Sequence, residues 1–152
     1  MKLQIYITPQ IYIRGPNVKI ITKEKIYDFL DFRGNKIECI LPQPPIEFTI
    51  MHHGKSNNDL SIQNNQIVHD TGFTINTIKI DEYTLTNEIF QFDTCFSDGK
   101  KLKGNNYFGD NCYMTFNIDK PIDFWIFDLK SKNYHQSNFV VDIDKFIAEI
   151  LS

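Results

Sequence analysis

Three aspartates and three aromatic residues are the side chains here whose types and setting could do chemistry. Asp59 and Asp70 each stand at the end of a strand or turn, and Asp110 lies in a long loop crowded with Asn105, Asn106 and Asn111. Hard cations such as Ca²⁺ take several oxygen ligands, and Asp/Asn-rich loops at one end of a β-sandwich can supply them. The same residues also serve as turn formers, because their short side chains hydrogen-bond the local backbone. Both readings stand at this point. No EF-hand order of acidic residues is present. Tyr107 and Phe108 lie inside the polar stretch SDGKKLKGNNYFGDN, and Tyr113 follows it. Flat rings in such a setting can stack on a sugar or a partner protein.

Other motifs are set aside by their context. Gly54-Lys55-Ser56 resembles the end of a phosphate-binding loop, but the glycine that such a loop needs is replaced by Thr49 and no helical pattern follows. His52 and His53 are adjacent, so on a strand they point to opposite faces. They cannot share a metal without distortion. Cys39, Cys95 and Cys112 have long, unrelated spacings and no CxxC pair, so they read as reduced, small core side chains. No nucleophile–base pair or paired-carboxylate arrangement can be argued from spacing, and the chain reads as non-enzymatic.

The elements that must position these residues are strands. Ile, Phe, Tyr and Thr abound while Ala148 is the one alanine, a composition that favours strands over helices. From Ile46 to Phe96 the chain alternates apolar and polar residues in short runs separated by Asn, Gly and Asp. Half-buried antiparallel strands have this pattern. Phe90, Phe92 and Phe96 are expected on one face of its last strand. Cys112–Ile118 alternates in the same way. Ile122–Leu129 is read as a strand on its aromatic and β-branched content, although Ile122, Trp125, Ile126 and Leu129 also fit a helical stripe. After Asp142, the residues Ile143, Phe146, Ile147, Ile150 and Leu151 form the stripe of one short C-terminal helix. The expected fold is an all-β antiparallel sandwich, jelly-roll-like, with that helix.

Pro42, Pro44 and Pro45 make the sharpest break in composition. They suggest an N-terminal β layer or arm over 1–45, beside a β-sandwich core over 46–152, within one compact unit. At 152 residues with 23% charged side chains, a core forms without metals or disulfides. The net charge of −3 and the dispersed lysines argue against a nucleic-acid partner. No apolar run is long enough to span a membrane, and MKLQIYITPQ lacks the pattern of a signal peptide, so synthesis in the cytoplasm is expected.

The pieces HHGKSNND (52–59), IVHD (67–70), INTIKID (75–81) and YFGDNCYMTFNIDKPIDFW (107–125) together resemble calcium-dependent β-sandwich carbohydrate-binding modules. Similar domains occur in hypothetical proteins of tailed bacteriophages. The resemblance covers about half the chain and has no counterpart for residues 1–45. It implies Asp59, Asp70 and Asp110 as cation-side residues, and Tyr107 and Tyr113 as sugar-side residues. It further implies a structural or accessory subunit of a virion, oligomeric and in contact with other subunits. A free calcium-dependent glycan-binding module is the alternative.

Overall fold

Alternation of apolar and polar residues produces two antiparallel sheets that bury their apolar faces against each other. The computed structural model describes residues 1–136. Its strands are β1 (Lys2–Gln10), β2 (Asn17–Thr22), β3 (Ile26–Phe29), β4 (Lys36–Ile40), β5 (Ile46–His53), β6 (Ser61–Gln63), β7 (Gln66–His69), β8 (Gly72–Ile80), β9 (Tyr83–Leu85), β10 (Asp93–Phe96), β11 (Lys101–Lys103), β12 (Tyr107–Phe108) and β13 (Cys112–Ile118). One sheet has the order β12-β8-β1-β4, with β9 also paired to β8. The other runs β11-β10-β13-β5-β2-β3, while β6 and β7 form a hairpin apart from both. The protein is thus an all-β antiparallel sandwich carrying a helix at the C-terminal end of the described chain.

The core follows from the alternation. Leu3, Ile5 and Ile7 of β1 and Phe73, Ile75, Ile78 and Ile80 of β8 meet Val18, Ile20, Phe48, Ile50, Met114 and Phe116 from the facing sheet. Phe116 stacks on Phe48 at 4.9 Å and meets Phe92 at 4.4 Å. Cys39 and Cys112 are buried and all three thiols are free. Desolvation pushes the Cys39 thiol up to about 11 and the Cys112 thiol up to about 12. Since the thiolate is the reactive form, neither is expected to react with a thiol reagent at pH 8 in the folded protein. Labelling followed by peptide mass analysis checks this, and modification within minutes would contradict it.

Three expectations are corrected. Residues 1–45 are not a layer or arm of their own, because β1 lies between β4 and β8 and β2 lies between β3 and β5. The proline break at Pro42–Pro45 is only the crossover from the β4 edge to β5. The segment expected as a strand after Pro121 is an α-helix, α1 (Ile122–Gln136). Its helical stripe prevails because Trp125, Ile126 and Leu129 close the open end of the core. Trp125 also donates from Nε1 to the Asn117 carbonyl at 2.9 Å. Phe90, Phe92 and Phe96 do not share a strand face, since a 3₁₀ turn at Asn87–Gln91 interrupts the run and leaves Phe90 exposed. The helix expected over 143–151 lies outside the described residues.

Candidate functional site

One end of the sandwich gathers the turn after β5, the segment between β1 and β2, the β7–β8 junction and the residues before β13. Gly54 ends β5 at φ +70°, where glycine carries no Cβ penalty. Ser56 then caps a single 3₁₀ turn, Asn57–Asp59, through a capping box in which the Asp59 carboxylate accepts from the Ser56 N–H at 2.7 Å. Arg14 reaches the same carboxylate with both arms, Nε to Oδ1 at 2.7 Å and Nη2 to Oδ2 at 2.8 Å. It also donates to the Gly54 carbonyl at 2.5 Å. The Arg14 guanidinium holds the Asp59 carboxyl well below the usual carboxylate range. The GKS sequence is therefore a capped turn.

A second lock lies beside the first. The Lys55 side chain is 6% exposed, and its ammonium donates to Asp70 Oδ1 and to the Gly109 carbonyl. Asn111 brackets the Lys55 backbone, accepting from its N–H at 2.9 Å and donating to its carbonyl at 3.0 Å. Asp70 Oδ1 accepts from the Thr71 N–H at 2.9 Å, and Oδ2 accepts from the Tyr107 hydroxyl at 2.6 Å. That hydroxyl also lies 2.8 Å from Gln10 Oε1. Burial, and then Asp70, push the Tyr107 hydroxyl pKa upward.

The three aspartates thus have separate surroundings. Asp59 is satisfied by Arg14, and Asp70 by Lys55 and Tyr107. Asp110 offers its backbone carbonyl to His52 and lines a cleft of about 560 Å³ with Asp98, Lys100 and Asn111. Among the described residues, no three His, Cys, Asp or Glu side chains converge as a metal centre requires. Beside Asp70, the position suited to a cation already holds the Lys55 ammonium.

The aromatics separate as well. Phe108 is fully buried and stacks on Phe73 at 4.8 Å, so it is a core side chain and not the ligand platform expected. Its partner in β8 is Phe73, and that register turns its ring inward. Tyr113 is 39% exposed on the outer side of β13, where its ring remains available. Tyr107 forms one wall of a cleft of about 540 Å³, with Gln10, Ile67, Val68, His69, Asp70 and Thr74. Gln10, His69 and Thr74 escape a sequence reading because three separate strands deliver them. No local pattern joins them.

Beside this cleft the chain exposes apolar side chains on constrained backbone. Ile13 has φ +66° and sits inside an i to i+2 hydrogen bond, Arg14 N–H to the Tyr12 carbonyl at 2.7 Å. This is a γ-turn of the rare, strained kind. For a β-branched residue the conformation costs on the order of 1–3 kcal/mol and persists only where its surroundings impose it. They do so here. Arg14 is clamped by Asp59, the Thr71 hydroxyl donates to the Tyr12 carbonyl at 3.0 Å, and the Tyr12 ring stacks on His69 at 5.2 Å. Ile13 is nonetheless 75% exposed. The neighbouring β6–β7 hairpin turns through Asn64 and Asn65, both at positive φ, as a two-residue hairpin of the primed type demands. It exposes Ile62, Ile67 and Val68. A break in register leaves Val68 as the extra residue between Ile67 and His69.

His52 is buried under the same end. Its Nδ1–H donates to the Asp110 carbonyl at 3.0 Å, and its ring meets Phe73 edge-on at 5.6 Å. His53 points to the opposite face, toward Asp28 at 2.9 Å. Burial lowers the His52 pKa from its ordinary value to about 4. The unfolded chain therefore binds the His52 proton more readily, and stability falls as pH drops from about 6.5 to about 4. The full loss is roughly 3 kcal/mol at 1.36 kcal/mol per pKa step. Asp59, with its depressed pKa, adds its own loss only below about pH 4. Urea midpoints across this range check the sign, and His52→Gln is expected to flatten the slope between pH 4 and 6.5.

No family model, curated protein or solved structure matches this chain.

Proposed function

We propose that this protein is a non-catalytic structural or accessory binding subunit of a larger protein assembly. In the setting implied by the resemblance, that assembly is a phage virion, with the chain as a capsid-decoration or tail protein. The observation that carries this reading is the apolar end formed by Ile11, Ile13 and the β6–β7 hairpin. Ile13 stands in water on backbone that the Arg14–Asp59 pair, the Thr71 hydroxyl and the Tyr12–His69 stack hold in place. Contiguous exposed apolar surface marks interaction sites, and rigidity lowers the entropy lost on binding. The hairpin packs chiefly on itself, and a lone two-stranded hairpin is marginal in water, so a partner would also stabilise it.

The test is size-exclusion chromatography with light scattering on protein released gently from its native source. The expected result is migration in a complex far above 17.9 kDa. A free 17.9 kDa species under all native conditions would contradict the reading.

The cleft beside Tyr107 favours a second reading, a glycan-binding module. An aromatic wall with Gln10, His69, Asp70 and Thr74 offers the ring face and planar polar groups that sugars use. Because Lys55 already neutralises Asp70, binding by this cleft is expected to survive chelation. A glycan array run with and without chelator checks it. No binding in either condition would remove this reading, and binding lost to chelator would contradict the role given to Lys55.

A further inference from the structure

We propose that the partner of the apolar end is a second copy of this chain, with Ile13 of each copy seated in the other's cleft about a two-fold axis. The inference rests on the binding-subunit reading and names its partner. A two-fold interface must be self-complementary, so that a knob on one copy finds its hollow on the other and the reverse. Knob and hollow lie side by side on this surface. Gln10 and His69 line the cleft, Tyr12 stacks on His69, and Ile13 follows Tyr12 in the strained turn. At about 540 Å³ the cleft has room for an isoleucine side chain, with Ile67 and Val68 as its apolar wall and Tyr107, Asp70 and Thr74 on the rest.

Charge points the same way. No charged side chain occurs from Ser61 to His69 or from Ile11 to Ile13. The nearest charges are paired within the chain, Arg14 with Asp59 and Lys55 with Asp70. A surface bearing net charge of either sign repels its own copy, whereas this one does not. A partner of different sequence is ordinarily selected by complementary charge around the interface, and here those charges are already committed. Two edges of the main sheets also expose an apolar side chain, Leu102 on β11 and Ile40 on β4, but there it is flanked by Lys101 and Lys103 or shares its strand with Lys36 and Glu38, charges of the kind that discourage edge association.

The experiment is sedimentation velocity on the purified full chain, from about 1 µM to about 500 µM, the range for a modest interface. Wild type is expected to shift from monomer to dimer as concentration rises. Ile13→Asn removes the apolar knob, yet asparagine tolerates positive φ better than isoleucine. It is expected to weaken dimerisation at least ten-fold without lowering the thermal midpoint measured at low concentration. Val68→Arg, which brings like charges together at the cleft, is expected to do the same, and Tyr113→Ala on the outer face to leave dimerisation unchanged. A wild type that stays monomeric throughout, or a dimer indifferent to Ile13→Asn and Val68→Arg, overturns the proposal. A large native complex alongside a monomeric purified chain would sink self-association alone and leave the binding-subunit reading standing.

Discussion

Replacing Lys55 by methionine is expected to cost about 3–5 kcal/mol, the loss typical of breaking a buried ion pair from one side. Methionine retains an apolar stem but removes the ammonium that Asp70 and the Gly109 carbonyl share. Asp70 would keep only the Thr71 N–H and the Tyr107 hydroxyl against its charge. For a chain of this length the thermal midpoint should fall by roughly 10 °C. The double variant Lys55→Met/Asp70→Asn should recover much of the loss, because the asparagine amide can accept from Thr71 and meet the Tyr107 hydroxyl without a charge. Thermal unfolding of the single and double variants measures this. A single-variant loss below about 1 kcal/mol, the range of an exposed pair, would show that Lys55 is solvated and that this end lacks the lock described.

Phe108→Ala is expected to destabilise the fold by about 3–5 kcal/mol, whereas Tyr113→Ala should change stability by less than about 1 kcal/mol. The two residues lie five positions apart, near or in the same polar stretch, and their types alone do not separate them. What separates them is register. Phe108 faces Phe73 across the β12–β8 pair and fills the core, while Tyr113 alternates outward on β13. Chemical denaturation reads both effects. If Phe108→Ala were tolerated while ligand or partner binding was lost, the ring would be a contact surface and the β12–β8 register would be wrong.

Features that depend on near neighbours could be read from the sequence, and those set by distant pairing could not. Cys112–Ile118 alternates without interruption and forms β13 as expected. The prolines at 42–45 mark a real turn of the chain, but sequence could not show that β1 would return to pair with β8 more than sixty residues later. That pairing makes β1 an interior strand, as pairing with β5 does for β2, while β3 and β4 stay at the sheet edges. Similarly, Asp70 and Tyr107 stand out in the sequence as ligands of different kinds. The β12–β8 register brings them within a hydrogen bond of each other. Lys55 and Arg14, whose charges decide how the aspartates behave, sit in turns whose composition gives no warning. Nor does IYIRGPN show that Ile13 will be held at positive φ. Only the clamp built from Asp59, Thr71 and His69 imposes it.

Hydrogen exchange tests the central claim most directly, by comparing the chain in its native assembly with the isolated chain at low concentration. Exchange is predicted to slow in peptides spanning Ile11–Arg14 and Ser61–His69, and to stay unchanged along β11 and the outer side of β13. If those two segments exchange at the same rate in both samples while another surface becomes protected, the apolar end is not the binding surface.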